Sequence, residues 1–158
     1  MRVKVLFVCL GNICRSPTAE GVFRHVVNNA SLSKHIHIDS AGTANWHQGR
    51  APDSRTIAAA KKRNVDLSVL RARAVRSEDF HEFDYILAMD DANLSDLEKI
   101  KPADYKGHLG LFLEFGSHKH HRHVPDPYHG GDDGFELVLD LIEDAAAGLL
   151  SSIQKQRA

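Results

Sequence analysis

The first seventeen residues constrain the fold more than any other part of the chain. Val3 to Val8 form a nearly continuous, largely β-branched apolar run, typical of a central strand covered on both faces. Ser16-Pro17 then indicates the start of a helix, because serine is a good N-cap and proline fits the first helical position. The pattern predicts a buried strand, a short loop and a helix, which together open a parallel sheet.

The rest of the chain alternates in the same way. Further strands are predicted at residues 36–38, 85–89 and 109–115, and helices at residues 52–60, 94–100 and 135–149. This alternation predicts an α/β fold with helices on both faces of a parallel sheet. Since there is no break in composition, residues 1–158 are expected to form a single domain. Ligands bind at the carboxyl ends of such strands, so the loop after the first strand should meet Met89 and Asp126 there.

Charge and hydropathy exclude several functional classes. The formal net charge is −1, whereas nucleic-acid-binding proteins normally carry a large basic excess. No apolar run approaches the ~20 residues of a membrane-spanning helix, and the apolar start is too short for a signal peptide. Two cysteines, Cys9 and Cys14, are too few for a disulfide scaffold or a structural zinc site. We therefore expect a cytoplasmic protein that binds neither nucleic acid nor membranes.

The loop between the predicted strand and helix has the composition of an anion site. Such a loop can point backbone N–H groups at a ligand, and the helix dipole adds positive charge. Gly11 is expected to adopt a positive φ, with Asn12 the next most tolerant residue. The positive field favours a thiolate at Cys9, and Arg15 can offer a planar fork to two phosphoryl oxygens. The segment predicts a phosphate site whose loop positions are Leu10, Gly11, Asn12, Ile13, Cys14 and Ser16.

Ser16 has two possible roles. Its hydroxyl can cap the helix, or it can lie near the Cys9 sulfur and stabilise it as a leaving group. From the sequence alone, capping is the favoured role.

Four segments resemble the low-molecular-weight protein tyrosine phosphatases. In chain order they are Cys9-Leu-Gly-Asn-Ile-Cys-Arg-Ser-Pro17, Asp39-Ser-Ala-Gly42, Asp84-Tyr-Ile-Leu87 with Met89-Asp90, and Asp126-Pro-Tyr128. The resemblance extends from about Val5 to Leu150, essentially the whole chain. It implies a flavodoxin-like sheet of four parallel strands, a phosphocysteine intermediate on Cys9, phosphate binding by Arg15, no metal and no other cofactor.

The resemblance also implies roles outside the loop. Asp126, which lies between two prolines, would be the general acid and then the base that activates water. Trp46 and Tyr128 would flank the cleft, next to His129, where many relatives have a second tyrosine. The expected substrates are tyrosine-phosphorylated proteins and small aryl phosphates, with phosphate and other oxyanions as inhibitors. The protein is expected to be mostly a monomer.

Oxidation is predicted from the two cysteines themselves. An exposed thiolate at Cys9 would react first with peroxide, and the thiol of Cys14 could then capture the sulfenic acid as a disulfide. The alternative is that Cys14 only fills the floor of the loop.

Other interpretations stay open at this point. Trp46 could pack against the core instead of lining the cleft. Arsenate reductases of the same fold share the loop but need further cysteines downstream, which are absent here. Protein-arginine phosphatases tend to have threonine at the position of Ile13. A phosphorylated-cysteine carrier would not need Arg15 together with Asp126, and an anion-binding module would leave Cys9 unexplained.

Two departures from the family pattern carry expectations of their own. Relatives often have a histidine where this chain has Leu70, so Asn12 is expected to rely on Ser16 and Ser40 for its hydrogen bonds. The histidine-rich tract 118–123 is expected to be an exposed loop; weak metal binding or pH sensing is the alternative.

Overall fold

Strands and helices alternate along almost the whole chain. The computed structural model describes residues 2–117, 120–128 and 132–157. The strands are β1 (Val3–Cys9), β2 (Ile36–Gly42), β3 (Tyr85–Ala88) and β4 (His108–Leu111). The helices are α1 (Arg15–Asn29), α2 (Ser54–Lys61), α3 (Asp79–Glu82), α4 (Asp91–Ile100) and α5 (Asp132–Arg157), and a 3-10 turn covers Phe112–Phe115.

The four strands form one parallel sheet in the order β2-β1-β3-β4. The chain leaves β1 for one side of the sheet and returns to the other side for β3, so the strand order reverses beside β1. This topology confirms the predicted flavodoxin-like α/β fold. The reversal places the loop after β1 where ligands of this fold class bind.

Residues on the two faces of β1 enter different parts of the core. Val5, Phe7 and Cys9 belong to the larger cluster, which packs under α1, α2 and α5, whereas Leu6 and Val8 pack with residues of α3 and α4. The ring of Phe7 lies 5.7 Å from that of Phe23 and 4.8 Å from that of Phe112, both in edge-on contacts. Burial on both faces explains why the sequence of β1 is a nearly continuous apolar run.

Two predicted strands end elsewhere than expected. The second strand was predicted to end at residue 38, but β2 continues to Gly42, with Ser40 paired to Phe7 and Gly42 to Cys9. The fourth strand was expected to reach residue 115, but its pairing with β3 stops at Leu111. The short helix α3 was not predicted at all. For both strands the pairing partner, which lies far away in the sequence, decides where the strand ends.

The carboxyl ends of the strands converge as predicted. The Met89 N–H donates to the carbonyl of Val8 at 3.1 Å, and the Val124 N–H donates to the carbonyl of Met89 at 2.8 Å. These bonds bring the segment before Asp126 to the loop after β1. Within the described ranges, no helix is long and apolar enough to cross a lipid bilayer.

Candidate active site

The loop after β1 is held in a conformation that only certain residues allow. Asn12 adopts the positive φ, 58°, whereas Gly11, the predicted position, does not. Space at position 11 is tight, because a Cβ there would lie 3.0 Å from the His47 ring, which would have to shift. A Cβ on Gly42 would lie 2.7 Å from the backbone oxygen of Leu10, so β2 can approach the loop only with glycine at its end.

The Cys9 sulfur is buried and receives hydrogen bonds from the loop itself. The residue is 3% exposed, and its Sγ accepts from the Asn12 N–H at 3.3 Å. The Ser16 hydroxyl lies 3.0 Å from the same sulfur. The predicted cap is wrong, since α1 begins at Arg15, two residues before the predicted first helical position at Pro17, and its N-cap, Cys14, makes no side-chain cap. Ser16 instead lies in the first turn, directed at Cys9.

A chain of buried hydrogen bonds supports the loop from below. The Asn12 amide donates to the hydroxyls of Ser16 at 2.7 Å and Ser40 at 3.0 Å, which confirms the contacts predicted from Leu70. Ser40 donates in turn to Glu20 at 2.7 Å, and burial raises the pKa of that carboxyl. The Arg73 N–H donates to the Asn12 Oδ1 at 3.0 Å. Asn12 therefore uses both its amide and its carbonyl to hold the left-handed turn.

Sequence reasoning missed Glu20 and Arg73. Glu20 carries a recognisable signal, because an acid one helical turn after Ser16 lies on the same face of α1. Arg73 has none, because it contributes a backbone group from 61 positions away.

The Arg15 guanidinium is buried and aimed across the loop. It is 4% exposed, donates to Asp90 Oδ2 at 2.6 Å and to the Val124 carbonyl at 3.2 Å. Burial lowers the pKa of Arg15, but the charges of Cys9 and Asp90 outweigh it and the pKa lies above its usual value. Asp90 also accepts from the Asn93 N–H at 2.8 Å as the N-cap of α4. Asp90 thus holds the Arg15 guanidinium and caps α4 at the same time.

Asp126 lies at the open side of the same site. Its carboxylate is 48% exposed, and one oxygen is 3.8 Å from an Arg15 nitrogen. The other oxygen accepts from the Tyr128 N–H at 3.1 Å, which holds the short turn between the two prolines. Arg55 donates to the Tyr128 carbonyl at 2.6 Å and fixes the far end of this segment. The carboxylate therefore faces both the guanidinium and solvent.

These groups surround one cavity of about 180 Å³. Trp46 is 68% exposed, so the alternative in which it packs against the core is wrong. The His47 ring lies 6.5 Å from the Tyr128 ring, and sequence reasoning missed this residue although it adjoins Trp46. His129 lies outside the described residues. The residues that line the cavity are Cys9, Leu10, Gly11, Ile13, Cys14, Arg15, Trp46, His47, Asp126 and Tyr128.

Residues 120–123, the described part of the histidine-rich tract, directly precede Val124, whose carbonyl accepts from Arg15. His123 pairs with Asp91 at 3.0 Å, and Arg122 binds the same carboxylate at 3.0 Å. His118 is outside the described residues. In the part of the chain that the structure describes, no three His, Cys, Asp or Glu side chains are grouped so as to hold a metal ion.

Comparisons with known proteins cover nearly the whole chain. Residues 4–158 match the family model of the low molecular weight phosphotyrosine protein phosphatases. The enzyme of that name from Schizosaccharomyces pombe is 45% identical over 152 residues, 96% of this chain and 97% of that protein. The low molecular weight protein-tyrosine-phosphatase YfkJ of Bacillus subtilis is 39% identical, over 98% of each chain. A crystal structure of a protein tyrosine phosphatase from Entamoeba histolytica, with Hepes in the active site, is 41% identical over 99% of both chains, with a TM-score of 0.94.

Proposed function

The chain belongs to the low molecular weight phosphotyrosine protein phosphatase family and is a protein tyrosine phosphatase, and we propose that it works through a phosphocysteine on Cys9. One observation carries the mechanism: the Cys9 sulfur, the Arg15 guanidinium and the Asp126 carboxylate line a single cavity. A nucleophile, a phosphate ligand and a proton donor are what the transfer of a phosphoryl group from an aryl oxygen requires.

In the first step the Cys9 thiolate attacks phosphorus. The S–P bond forms as the bond from phosphorus to the phenolic oxygen breaks, and that oxygen takes a proton from Asp126. Arg15 holds two of the equatorial oxygens, where charge accumulates. Because the ion pair with Asp90 fixes the guanidinium beforehand, little reorganisation is needed when substrate binds.

In the second step water displaces the sulfur. Asp126, now a carboxylate, removes a proton from the water as the new P–O bond forms and the S–P bond breaks. Its exposure allows water to reach it. The Ser16 hydroxyl, 3.0 Å from Cys9 Sγ, donates to the departing thiolate and so makes it a better leaving group.

The cavity favours an aryl phosphate over an alkyl one. Cys9 is buried at its floor, whereas Trp46 and Tyr128 are exposed at its rim. An aromatic ring spans that depth and contacts both walls, but a serine side chain is too short to do so. Ile13 favours tyrosine over arginine phosphate, and the absence of cysteines after Cys14 disfavours arsenate reduction. His129, beside Tyr128, is proposed to contact the substrate as well.

Phosphate and other oxyanions should occupy the same loop as competitive inhibitors. The sulfonate buffer Hepes lies in the active site of the Entamoeba phosphatase, which supports this proposal. We also propose a cytoplasmic, mainly monomeric protein, acting on tyrosine-phosphorylated proteins.

The covalent step is tested with Cys9→Ser. Serine keeps its proton where a thiolate is stable, so turnover of p-nitrophenyl phosphate should fall by about 10⁴-fold or more. Rapid acid quenching followed by mass spectrometry should find a phosphoryl group on the Cys9 peptide of the unmodified enzyme and none in the variant. Cys14→Ser, the matched control, should still form the phosphoenzyme. Substantial turnover by Cys9→Ser would contradict the mechanism.

A further inference from the structure

The floor of the catalytic loop rests on a small cavity that the proposed mechanism does not use. This cavity measures about 10 Å³ and is lined by Cys14 and two threonines, Thr18 and Thr56, among apolar side chains of α2 and α5. The Thr18 hydroxyl is occupied, since it donates to the Cys14 carbonyl at 2.6 Å. Thr56 is 3% exposed, and its hydroxyl has no hydrogen-bond partner of normal geometry among the described residues.

A buried hydroxyl without a hydrogen-bond partner destabilises the folded protein, and a hydrogen bond to a nearby polar group would remove that cost. The cavity is at the lower limit of size for one water molecule, and apart from Cys14 and the two threonines its lining is apolar. Among the described residues that line it, Cys14 alone carries a sulfur. Thr56 is also well anchored, because it lies in the first turn of α2, and the Asp53 N–H at the start of that helix donates to the Ile13 carbonyl at 2.9 Å.

Cys14 is a poor nucleophile in its resting state. Burial raises the pKa of its thiol to about 12, and the Thr56 hydroxyl offsets only part of that increase. A thiol held neutral reacts slowly, because the thiolate is the species that attacks. Any reaction of Cys14 with Cys9 therefore depends on what stabilises negative charge on the Cys14 sulfur.

We propose that Thr56 is a positioning residue for redox protection: its hydroxyl donates to the Cys14 sulfur as that sulfur loses its proton and attacks oxidised Cys9. This proposal rests on the proposed role of Cys9 as a reactive thiolate. It explains the hydroxyl, which has no partner of normal geometry at rest, as a donor whose bond to the Cys14 sulfur becomes strong once that sulfur carries negative charge.

The chemistry balances with a peroxide as oxidant. The Cys9 thiolate attacks one peroxide oxygen, the O–O bond breaks, and the sulfur becomes a sulfenic acid, while the other oxygen leaves as water after protonation. Cys14 then forms the S–S bond as the S–O bond of the sulfenic acid breaks. The sulfenic oxygen leaves as a second water and takes up the proton released by Cys14. Overall, the two thiols supply two electrons, which reduce one peroxide.

The test compares Thr56→Val, which removes the hydroxyl at nearly constant shape, with Thr56→Ser, which retains it. Each reduced protein is treated with hydrogen peroxide, quenched at intervals with an alkylating agent and weighed by mass spectrometry. Thr43→Val is the matched control, because the Thr43 hydroxyl is likewise buried and unpartnered among the described residues but does not line this cavity. Thermal melting checks that all variants are folded.

We expect Thr56→Val to lose activity to peroxide at the unmodified rate, because Cys9 reacts first. Disulfide formation should slow by about tenfold, as loss of a hydrogen bond to a charged group predicts. Less activity should then return with dithiothreitol, whereas Thr56→Ser and Thr43→Val should behave like the unmodified protein.

Three results would overturn the inference: unmodified disulfide kinetics in Thr56→Val, equally slow kinetics in Thr56→Ser, or no Cys9–Cys14 disulfide in the unmodified protein. Turnover and phosphoenzyme formation by the reduced proteins need no peroxide. If the reduced unmodified protein neither turns over substrate nor forms the phosphoenzyme, the proposed function is wrong, whatever the disulfide kinetics show.

Discussion

The two sides of the active site are built in opposite ways. On the loop side, Cys9, Asn12, Arg15 and Ser16 are each at most 5% exposed. Cys9, Asn12 and Ser16 share a buried hydrogen-bond network, and Arg15 is held separately by Asp90. On the acid side, the carboxylate of Asp126 is 48% exposed and Tyr128 is 39% exposed. The phosphoryl group is the same in every substrate, so its site can be rigid and dry. Leaving groups differ and water must enter, so the acid has to face solvent.

This difference predicts two kinds of variant. Changes in the loop should impair every substrate and every oxyanion, whereas changes on the acid side should act selectively, according to the leaving group or the ring.

The largest effect is expected from Arg15→Lys. An ammonium cannot reproduce the bidentate fork, and its shorter reach would also disturb the pair with Asp90. We expect kcat/KM to fall by about 10³-fold for all aryl phosphates, with inhibition by inorganic phosphate weakened in parallel. Arg63→Lys is the control, because Arg63 binds three carboxylates on α5, away from the cavity. Steady-state kinetics that show normal phosphate inhibition in Arg15→Lys would contradict the rigid-loop model.

Asp126→Asn should separate substrates by their leaving groups. Protonation matters most when the departing oxygen is basic, so phenyl phosphate should slow by about 10²- to 10³-fold and dinitrophenyl phosphate far less. Phosphate inhibition should hardly change, because Arg15 stays in place. The control is Asp91→Asn, another exposed carboxylate, which pairs with Arg122 outside the cavity. Equal losses on both substrates would mean that Asp126 only positions its neighbours.

Two variants of Asn12 separate the contribution of its backbone conformation from that of its side-chain hydrogen bonds to the structure of the loop. Both Asn12→Ala and Asn12→Gly lose the bonds to Ser16 and Ser40, and each should lower kcat by about tenfold. Only alanine is strained at a φ of 58°, so Asn12→Ala should also be about 1 kcal/mol less stable than Asn12→Gly by denaturant unfolding.

Asn64 provides the control for that strain. It has a φ of 67° on the surface, far from the loop in sequence, so Asn64→Ala should be destabilised with normal turnover. If Asn12→Gly keeps full activity, the network below the loop does not contribute to catalysis.

The same contrast explains what the sequence could predict. The β1 run and the loop motif lie within seventeen neighbouring residues, and local pattern was enough to predict the strand, the anion loop and the parallel sheet. The role of Ser16 was mispredicted because α1 starts at Arg15, two residues before the predicted first helical position at Pro17. Asp126 was identified through family resemblance, since its proximity to Arg15 depends on bonds between Met89 and Val124.

The remaining site residues depend on tertiary contacts without a local signature. The Arg73 N–H meets Asn12 because that segment bridges to Gly42 at the end of β2. The His47 ring belongs to the site because it lies close to Gly11 in the folded chain. Neither contact follows from periodicity or from residue type, so the sequence pattern identified Trp46 but neither His47 nor Arg73.

The smallest effect, and the sharpest test of the acid side, is expected from Trp46→Ala. Because Trp46 is 68% exposed at the rim, its loss should leave the melting temperature almost unchanged, as should the control Val69→Ala, an exposed apolar residue outside the cavity. A ring contact contributes about 0.5–1.5 kcal/mol beyond area burial, so KM for aryl phosphates should rise by roughly 2- to 12-fold. Inhibition by inorganic phosphate should stay constant, since that ion reaches only the loop. A large drop in melting temperature, with the affinities for phosphate and aryl phosphate falling together, would mean that Trp46 supports the loop and that the two sides of the site are not independent.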